Sequence, residues 1–498
     1  MSISLNKNKT DKLLFWIAVF IMAAGIITRL VVLLQNRNLI IDECNIARNI
    51  YERGFAALAQ PLDYEQYAPP VFLWALKLFT NLFGMSEQVL RLYPFLTSIG
   101  ALIMMYLVLK EYTSLRSLWY PLVLFAVAHI MIRYSTEAKQ YMPDVFITLL
   151  LIWFALKTDI RSMLWYKFLL FWFVIGSIAI WASMPAVFIL ASVGVYYGYT
   201  CLQQKEYKKL GLLIFLSLLW LGQFAFYYYA ILKPQIQSDY LQQFHKDYFL
   251  YVLPHSYQQW KQDYHILADL LESAGGYHAL AVIFHTLLIL AATGVLLYKH
   301  TAKGLLIITP LVIVVIASMA HQFSLLNRVA LFTLPLLLIL IGYGFDLFLK
   351  VRFVAWRFLM VVIALICIVN HNNAYKMINK PFSTEDFTTG LSFLKKEHIS
   401  GGQLYIHNGS RPALIYYTRM HPAKEEWAQF KDAHLLYWDA NYDSIATNAG
   451  GRIALIITSI YPDELAHIRS VMEAHMQLLD KMDDHDKHRV FVYVYEKR

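Results

Sequence analysis

Two adjacent carboxylates, Asp42 and Glu43, directly follow the first long apolar segment of this chain. That segment extends over residues 13–34, and the linker 35–41 leads from it into the pair. Ionised carboxylates are costly close to hydrocarbon unless they face water or a functional cavity. An acidic surface loop is the ordinary interpretation of such a pair, and a catalytic site is the alternative. The residues further along the chain favour a catalytic site.

More ionisable residues lie at the ends of later apolar segments. Glu137 and Lys139 separate the third segment from the fourth, and Asp144 lies a little deeper in the fourth. His321 and Arg328 lie between the ninth and the tenth. For Lys139 and Arg328 the ordinary interpretation is a membrane anchor whose charge reaches the interface. Carboxylates clustered on one face have no such anchoring purpose, which favours a site.

The composition indicates that a polytopic membrane protein positions these residues. Of the 498 residues, 58% are hydrophobic and only 15% are charged, unlike a soluble globular domain. A spanning helix needs about 20 apolar residues. Eleven stretches approach or reach that length, near residues 13–34, 89–109, 118–134, 141–157, 166–182, 184–201, 210–230, 279–298, 304–320, 329–349 and 355–371.

The distribution of positive charge predicts the orientation of the chain and argues against a nucleic-acid partner. The net charge is +9, but residues 375–498 hold 15 basic against 16 acidic residues, so the surplus belongs to the membrane portion. With a cytoplasmic N-terminus, each short loop on that side carries two or three Lys or Arg, and each short loop opposite carries at most one. This orientation places Asp42, Glu137, Arg328 and residues 375–498 outside.

A shorter apolar stretch, residues 69–83, falls below the spanning length and is predicted to be an interfacial or re-entrant helix. It belongs to the first external loop, 35–88. In the same loop, apolar residues alternate with charged ones over 45–58, which predicts an amphipathic helix lying on the membrane. A second external loop, 233–276, is rich in aromatic residues. It is either an interfacial belt or a lid hinged at Gly275 and Gly276.

The last 120 or so residues, 375–498, predict a small α/β domain outside the membrane. Strand-like runs occur at 403–407, 434–438, 452–459 and 489–495, and helical runs occur at 411–417 and 464–479. No phosphate loop, nucleophile elbow or metal-ligand spacing occurs in this sequence. We therefore predict an accessory or acceptor-handling domain.

The chain resembles polytopic GT-C fold glycosyltransferases of the family 39 type, which include dolichyl-phosphate-mannose protein mannosyltransferases and bacterial lipid A aminoarabinose transferases. The resemblance covers residues 1–374. It rests on Ile-Asp-Glu at 41–43, Tyr-Ala-Pro-Pro at 67–70, Ser-Thr-Glu-Ala-Lys-Gln-Tyr at 135–141, and the run from Arg328 to Pro335. Lys139 and Val329 stand where the family commonly has Arg and Tyr.

The resemblance implies a GT-C fold of about eleven transmembrane helices in the bacterial inner membrane, with a polyprenyl-phosphate sugar as donor. A lipid, glycan or protein would be the acceptor. Asp42 would be the general base of an inverting transfer, with Glu43 and Glu137 in the same catalytic group. Arg328 and Lys139 would bind the donor phosphate, helped by the amides of a helix beginning at Arg328.

Four further residues are candidate substrate contacts: Tyr67, Tyr141, Asp144 and His321. The three cysteines are scattered, so no disulfide framework or thiolate zinc site is implied. No cofactor is required by the sequence, although open carboxylates could hold a divalent cation. Two other functions remain open: a flippase or transporter of a polyprenyl-linked glycan, and a non-catalytic membrane scaffold. A transporter would be expected to carry internal repeats or paired broken helices, and neither is evident.

Overall fold

A computed structural model of the chain describes residues 2–236, 239–276, 278–372, 374–379, 385–483 and 489–498. Most of them are helical. The helices are α1 (Ser2–Leu34), α2 (Ile41–Glu52), α3 (Pro70–Phe83), α4 (Glu87–Leu90), α5 (Leu92–Tyr112), α6 (Leu115–Val127), α7 (His129–Tyr134), α8 (Tyr141–Lys157), α9 (Trp165–Ala182), α10 (Ala186–Gln203), α11 (Tyr207–Tyr227), α12 (Lys233–Ile236), α13 (Asp239–His245), α14 (Tyr257–Gly275), α15 (Ala279–Lys299), α16 (Thr301–Met319), α17 (Leu334–Leu349), α18 (Val354–His371), α19 (Ala374–Asn379), α20 (Phe387–Lys396), α21 (Arg411–Ile415), α22 (Tyr442–Asn448) and α23 (Pro462–His475).

Nine helices within the described ranges are long and apolar enough to cross a membrane, and the chain is an integral membrane protein. The eleven predicted segments all correspond to helices, but two of them do not meet the spanning length. Segment 118–134 is split between α6 and α7, and α8 has 17 residues. The 14-residue α3 rises only about 21 Å, too short for a bilayer core of about 30 Å.

The break between α6 and α7 is stabilised by a buried arginine of α1. Ala128 has an extended ψ of 125°, which ends α6. Carbonyl groups at a helix end inside the membrane need donors. Arg29, which is fully buried, donates to the carbonyls of Ala126 at 2.9 Å and Phe125 at 3.3 Å. The break lets α7 turn towards the segment that holds Glu137 and Lys139.

The first external loop folds against protein. Its predicted amphipathic helix begins earlier than the sequence indicated, because Asp42 and Glu43 form the first turn of α2. The apolar face, with Ile46 and Ile50 fully buried, contacts α3 and α21. The prediction that this helix lies on the membrane is therefore wrong, since its apolar stripe is covered by other parts of the chain.

The aromatic loop, residues 233–276, divides into two parts. Phe244 and His245 at the end of α13 line a large cavity, whereas Tyr257, Trp260 and Tyr264 of α14 are exposed. Gly275 packs so closely on His285 that a Cβ there would lie 2.0 Å from the imidazole Nδ1. Gly276 has φ +109°, which favours glycine. The two glycines that were predicted to form a hinge are therefore needed for close packing and for a turn.

A five-stranded sheet lies in the C-terminal portion. Its strands are β1 (Leu404–Ile406), β2 (His434–Leu435), β3 (Arg452–Ile457), β4 (Met476–Met482) and β5 (Phe491–Lys497), in the order β2-β1-β3-β5-β4. Strand β1 runs parallel to β2 and β3, and β5 runs antiparallel to β3 and β4. Strand β4 was not predicted, because its first residues were assigned to the helical run 464–479. The helix stops at His475, and β4 pairs along the edge of β5.

The C-terminal portion and the first external loop share one apolar core. Leu39, Ile46 and Phe72 of the loop belong to the same buried cluster as Phe387 and Tyr417 of the C-terminal portion. Tyr417 also accepts the backbone N–H of Leu39 at 3.2 Å and donates to Glu87 at 2.9 Å. The C-terminal portion is consequently packed directly onto the loop that carries Asp42.

We predict that residues 233–276 and the C-terminal sheet face the same side of the membrane. Gln258→Cys and Ser470→Cys are exposed sites in these two parts, and Lys205→Cys lies in a loop predicted to be cytoplasmic. An impermeant thiol reagent applied to intact cells should label the first two and spare the third. The three native cysteines are buried and provide a low background. Labelling of Gln258→Cys without Ser470→Cys would show that the predicted span count is wrong.

Candidate active site

Asp42 faces a cavity of about 1090 Å³ from the first turn of α2. Its Oδ2 lies 3.6 Å from Lys139 Nζ and 3.7 Å from Arg328 Nη1, and 30% of the side chain is exposed. Gln66 Nε2 lies at the hydrogen-bonding limit from Oδ1, at 3.5 Å. Burial favours the neutral acid, but the charges of Lys139 and Arg328 outweigh it and hold the pKa of Asp42 below its ordinary value. Asp42 is therefore an ionised carboxylate facing the cavity.

Lys139 reaches Asp42 because its backbone segment is anchored to α2. The N–H of Ala138 donates to Glu43 Oε1 at 2.7 Å. The ammonium group of Lys139 donates to Gln66 Oε1 at 2.7 Å, and the residue is 7% exposed. Burial lowers the pKa of Lys139 below its ordinary value, and the negative charge of Asp42 offsets part of this effect. Lys139 and Asp42 are thus held as a pair at the cavity wall.

Arg328 approaches Asp42 from the turn between α16 and α17. The guanidinium carbon lies 5.3 Å from the ring centroid of Phe244. The helix predicted to begin at Arg328 starts later, with a 3-10 turn at Leu331. The amides of Val329 and Ala330 donate to the carbonyl of Leu326 at 2.8 and 2.9 Å. The predicted help from helix amides is therefore wrong for these two groups, and it is the side chain of Arg328 that approaches Asp42.

Glu43 lies behind the cavity in a buried ion pair. Arg91 donates from Nε to Glu43 Oε1 at 2.8 Å and from Nη2 to Oε2 at 2.7 Å, and both side chains are at most 2% exposed. Burial opposes the charge of Glu43, but Arg91 outweighs it and holds the pKa below its ordinary value. Arg91 also donates to the carbonyls of Arg37 and Asn38 at 2.7 and 3.0 Å. These contacts indicate a role in positioning.

Glu137 is also buried, with 3% exposure, and does not line the cavity. Arg133 Nε, one helical turn earlier, donates to its Oε1 at 2.7 Å. The neighbouring Thr136 accepts two hydrogen bonds from Arg37 Nη2, at 3.0 Å on the carbonyl and 2.7 Å on the hydroxyl. Arg133 itself lines the cavity. Glu137 therefore orients an arginine of the cavity wall.

Of the four candidate substrate contacts, two reach the cavity. Tyr67 and Tyr141 line it beside Lys139. Asp144 is 5% exposed and lies one turn further along α8, outside the lining. His321 is exposed and stacks on Phe249 with ring centroids 4.9 Å apart. Asp144 does not line this cavity because it lies on the face of α8 that is turned into the helix bundle. His321 does not line it because the turn after α16 directs its side chain outward.

The sequence missed the residues that the C-terminal portion adds to the cavity. They lie in turns and at the first residues of α21, α23 and β5, where no sequence motif marks them. The residues that the C-terminal portion contributes to the cavity wall are Glu385, Asn408, Arg411, Pro412, Trp438, Ser459, Ile460, Tyr461, Glu464, Arg489 and Phe491. The predicted accessory domain thus forms one side of the cavity that Asp42 faces.

Glu385 connects this wall to the backbone beside Asp42. One carboxylate oxygen accepts the N–H of Ile41 at 3.0 Å, and the other accepts the hydroxyl of Ser459. Asn38 donates to Asp386 Oδ1 at 2.7 Å in the same region. Burial raises the pKa of Glu385 to about 7, and the negative charge of Asp42 adds to the increase. The start of α2 is therefore held from two sides, by Arg91 and by Glu385.

No group of three or more His, Cys, Asp or Glu side chains suited to a metal ion occurs within the part of the chain that the structure describes. Of the carboxylates that line the cavity, Asp42 is instead paired with the cations Lys139 and Arg328.

Comparisons with known proteins agree on the fold. A family model described as dolichyl-phosphate-mannose-protein mannosyltransferase matches residues 67–227. The structure is similar to that of ArnT from Cupriavidus metallidurans bound to undecaprenyl phosphate, with a TM-score of 0.53, 13% identity, and coverage of 96% of this chain and 97% of that one. For ArnT in the apo state the TM-score is 0.54 at the same identity and coverage. No curated protein matches the chain. The predicted GT-C membrane fold is confirmed.

We predict that the Glu43–Arg91 pair is a main determinant of stability. Glu43→Gln removes one charge and leaves Arg91 buried without its partner, which should cost about 3–5 kcal/mol of unfolding free energy. Thermal unfolding of the purified chain in detergent measures the effect. Lys157→Gln is the control, because Lys157 pairs with Glu111 where both side chains are partly exposed, and its loss should cost less than about 1 kcal/mol. Equal shifts for the two variants would contradict the prediction.

Proposed function

We propose that this chain is a membrane glycosyltransferase that moves a sugar from a polyprenyl-phosphate donor to an acceptor on the external face of the bacterial inner membrane. One observation carries the proposal: an ionised carboxylate, Asp42, faces a large cavity with two cations within 3.7 Å. The family match and the GT-C fold support a glycosyltransferase. The ArnT structure was solved with undecaprenyl phosphate, which supports a lipid phosphate as the leaving group.

In the proposed reaction, Asp42 accepts a proton from an acceptor hydroxyl or amine. The acceptor atom forms a bond to the anomeric carbon from the face opposite the phosphate, while the bond from that carbon to the phosphate oxygen breaks. The configuration is inverted, and the electron pair leaves with the polyprenyl phosphate. Lys139 and Arg328 stabilise the negative charge that grows on the departing phosphate.

Charge explains how the same cations serve both the donor and the base. The distances of 3.6 and 3.7 Å from Asp42 exceed ordinary hydrogen bonds, so the pairing is mainly Coulombic. A phosphate between Lys139 and Arg328 would neutralise part of their charge. The pKa of Asp42 would then rise towards the range in which a general base is effective. Binding of the donor therefore prepares the carboxylate for proton transfer.

The other two acids serve the site as positioning groups in this proposal. Glu43 is saturated by Arg91, Ala138 and the N–H of Ile40, which leaves it no approach to a substrate. Glu137 holds Arg133, whose guanidinium lines the cavity. Because Lys139 is a point charge and not a planar fork, Arg328 is the only one of the two phosphate-binding cations that can form a bidentate contact.

We predict that Asp42→Asn slows transfer by about 100-fold or more, because the amide keeps the shape but cannot accept the proton. The measurement is the release of polyprenyl phosphate from a panel of polyprenyl-phosphate hexose and pentose donors, resolved by mass spectrometry. Asp63→Asn is the matched control, since Asp63 lies in the same loop and pairs with Arg53 away from the cavity. Turnover of Asp42→Asn close to that of the control would remove Asp42 from the role of base.

We also predict that Lys139→Ala and Arg328→Ala have non-additive effects on transfer and on binding of undecaprenyl phosphate, because the two cations would share one anion. A double-mutant cycle measures the coupling. Lys157→Ala combined with Arg328→Ala provides the additive reference, because Lys157 pairs with Glu111 and does not line the cavity. Additive effects of less than twofold in the first cycle would remove both residues from the proposed phosphate site.

A further inference from the structure

Two arginines that the proposed transfer does not use lie in the same cavity, each stacked on a tyrosine. The guanidinium carbon of Arg48 lies 3.6 Å from the ring centroid of Tyr64, and that of Arg411 lies 4.0 Å from the centroid of Tyr437. Both arginines line the cavity, Arg48 from α2 and Arg411 from the C-terminal portion. Stacking on an aromatic face restrains a guanidinium and leaves its N–H edges directed sideways.

The N–H edges of these arginines are poorly used by the protein. Arg411 donates to Asn408 Oδ1 at 3.0 Å, and its buried Nε has no hydrogen-bond partner in the described part of the chain. Arg48 Nε lies 3.8 Å from Glu52 Oε1, an ion pair on the same helix that is too long for a hydrogen bond, and likewise has no hydrogen-bond partner among the described residues. Glu52 in turn accepts the hydroxyl of Tyr64 at 2.7 Å. A buried guanidinium N–H without an acceptor is costly, so both groups favour an incoming anion.

The carboxylates of the cavity wall offset only part of the positive charge. Six Lys or Arg side chains line the cavity against four Asp or Glu. Glu385 is bound to the N–H of Ile41 and to Ser459, and Glu464 lies 3.9 Å from His407 Nε2. Asp42 is paired with Lys139 and Arg328. The lining therefore carries an excess of two cations. When Lys139, Arg328 and their partner Asp42 are set aside, four arginines remain against three glutamates, an excess of one positive charge.

The position of Arg48 suits an acceptor. Asp42, Asn45 and Arg48 follow each other at spacings of three residues along α2, and all three line the cavity. Six residues of helix separate Asp42 from Arg48 by about 9 Å along the axis. An acceptor whose anion is held at Arg48 would thus have space for part of a sugar between that anion and the hydroxyl or amine that Asp42 deprotonates. The exposed ring of Trp438 lies on the same wall as Arg411 and offers a face for stacking.

We propose that Arg48 and Arg411 form a second anion subsite, distinct from Lys139 and Arg328, that binds a phosphate or carboxylate on a sugar-containing acceptor. That the bound anion belongs to an acceptor rests on the proposed transferase function. The subsite itself rests on the cavity and the two stacked arginines. It selects an anionic glycan over a neutral one by charge-assisted hydrogen bonds to the guanidinium edges.

The test uses three soluble probes on the purified full-length chain: glucose 6-phosphate, glucuronate and glucose. Each is titrated by calorimetry after saturation with undecaprenyl phosphate, so that the Lys139 and Arg328 site is already filled. We expect saturable binding of the phosphate sugar, of the uronate, or of both, and at least about tenfold weaker binding of glucose. A preference between the first two identifies the phosphate or the carboxylate as the natural anion.

Arg48→Gln and Arg411→Gln should each weaken binding of the anionic probe by about tenfold or more, while Arg48→Lys should restore part of it. Arg469→Gln is the matched control. Arg469 also stacks on a tyrosine, 5.2 Å from the centroid of Tyr493, but does not line the cavity. Thermal unfolding of each variant separates lost binding from lost folding.

Three results would overturn the subsite: no saturable binding of either anionic sugar at millimolar concentration, equal binding of glucose, or binding unchanged in both glutamine variants. Failure of the proposed transfer gives a different pattern. In that case binding of undecaprenyl phosphate would not depend on Lys139 and Arg328, while the anionic sugars would still bind through Arg48 and Arg411. The two proposals can therefore fail separately.

Discussion

The buried ion pair between Glu43 and Arg91 is the interaction on which the geometry of the cavity depends. It joins three stretches that are distant in the sequence: the first turn of α2, the residue before α5, and the segment after α7, through the N–H of Ala138 on Glu43. Arg91 also donates to the carbonyls of Arg37 and Asn38, which ties the linker before α2 into the same network. Because Asp42 and Lys139 are each adjacent to a residue in this network, their mutual distance is set by contacts made behind the cavity wall.

The second constraint is electrostatic. A base must be ionised and yet basic, whereas a phosphate site must be cationic. In the proposed site, Lys139 and Arg328 keep Asp42 ionised from distances longer than a hydrogen bond, and both cations can turn to an anion. The cost is a lowered pKa for Asp42 as long as no other anion is present. In the proposed reaction the phosphate of the donor raises the pKa of Asp42 again by neutralising part of the charge of the two cations.

The C-terminal portion is a structural part of the candidate site. Glu385 holds the N–H that precedes Asp42, and Tyr417 holds the N–H of Leu39. The shared apolar core explains why these hydrogen bonds persist, since the loop and the sheet layer cannot separate without exposing it. Arg411 and Trp438 then add a cation and an aromatic face to the cavity wall.

The sequence by itself determined the membrane class, the helical segments, the small C-terminal sheet except β4, and the acidic motif with its cations, because apolar length, periodicity and motif spacing are local properties. Only the tertiary structure separated Asp42, which faces the cavity, from Glu43, which is buried one residue later. It also placed Asp144 and His321 outside the cavity and brought Arg48 and Arg411 into it. These outcomes depend on which helix face packs against which partner, and such long-range contacts leave no pattern in neighbouring residues.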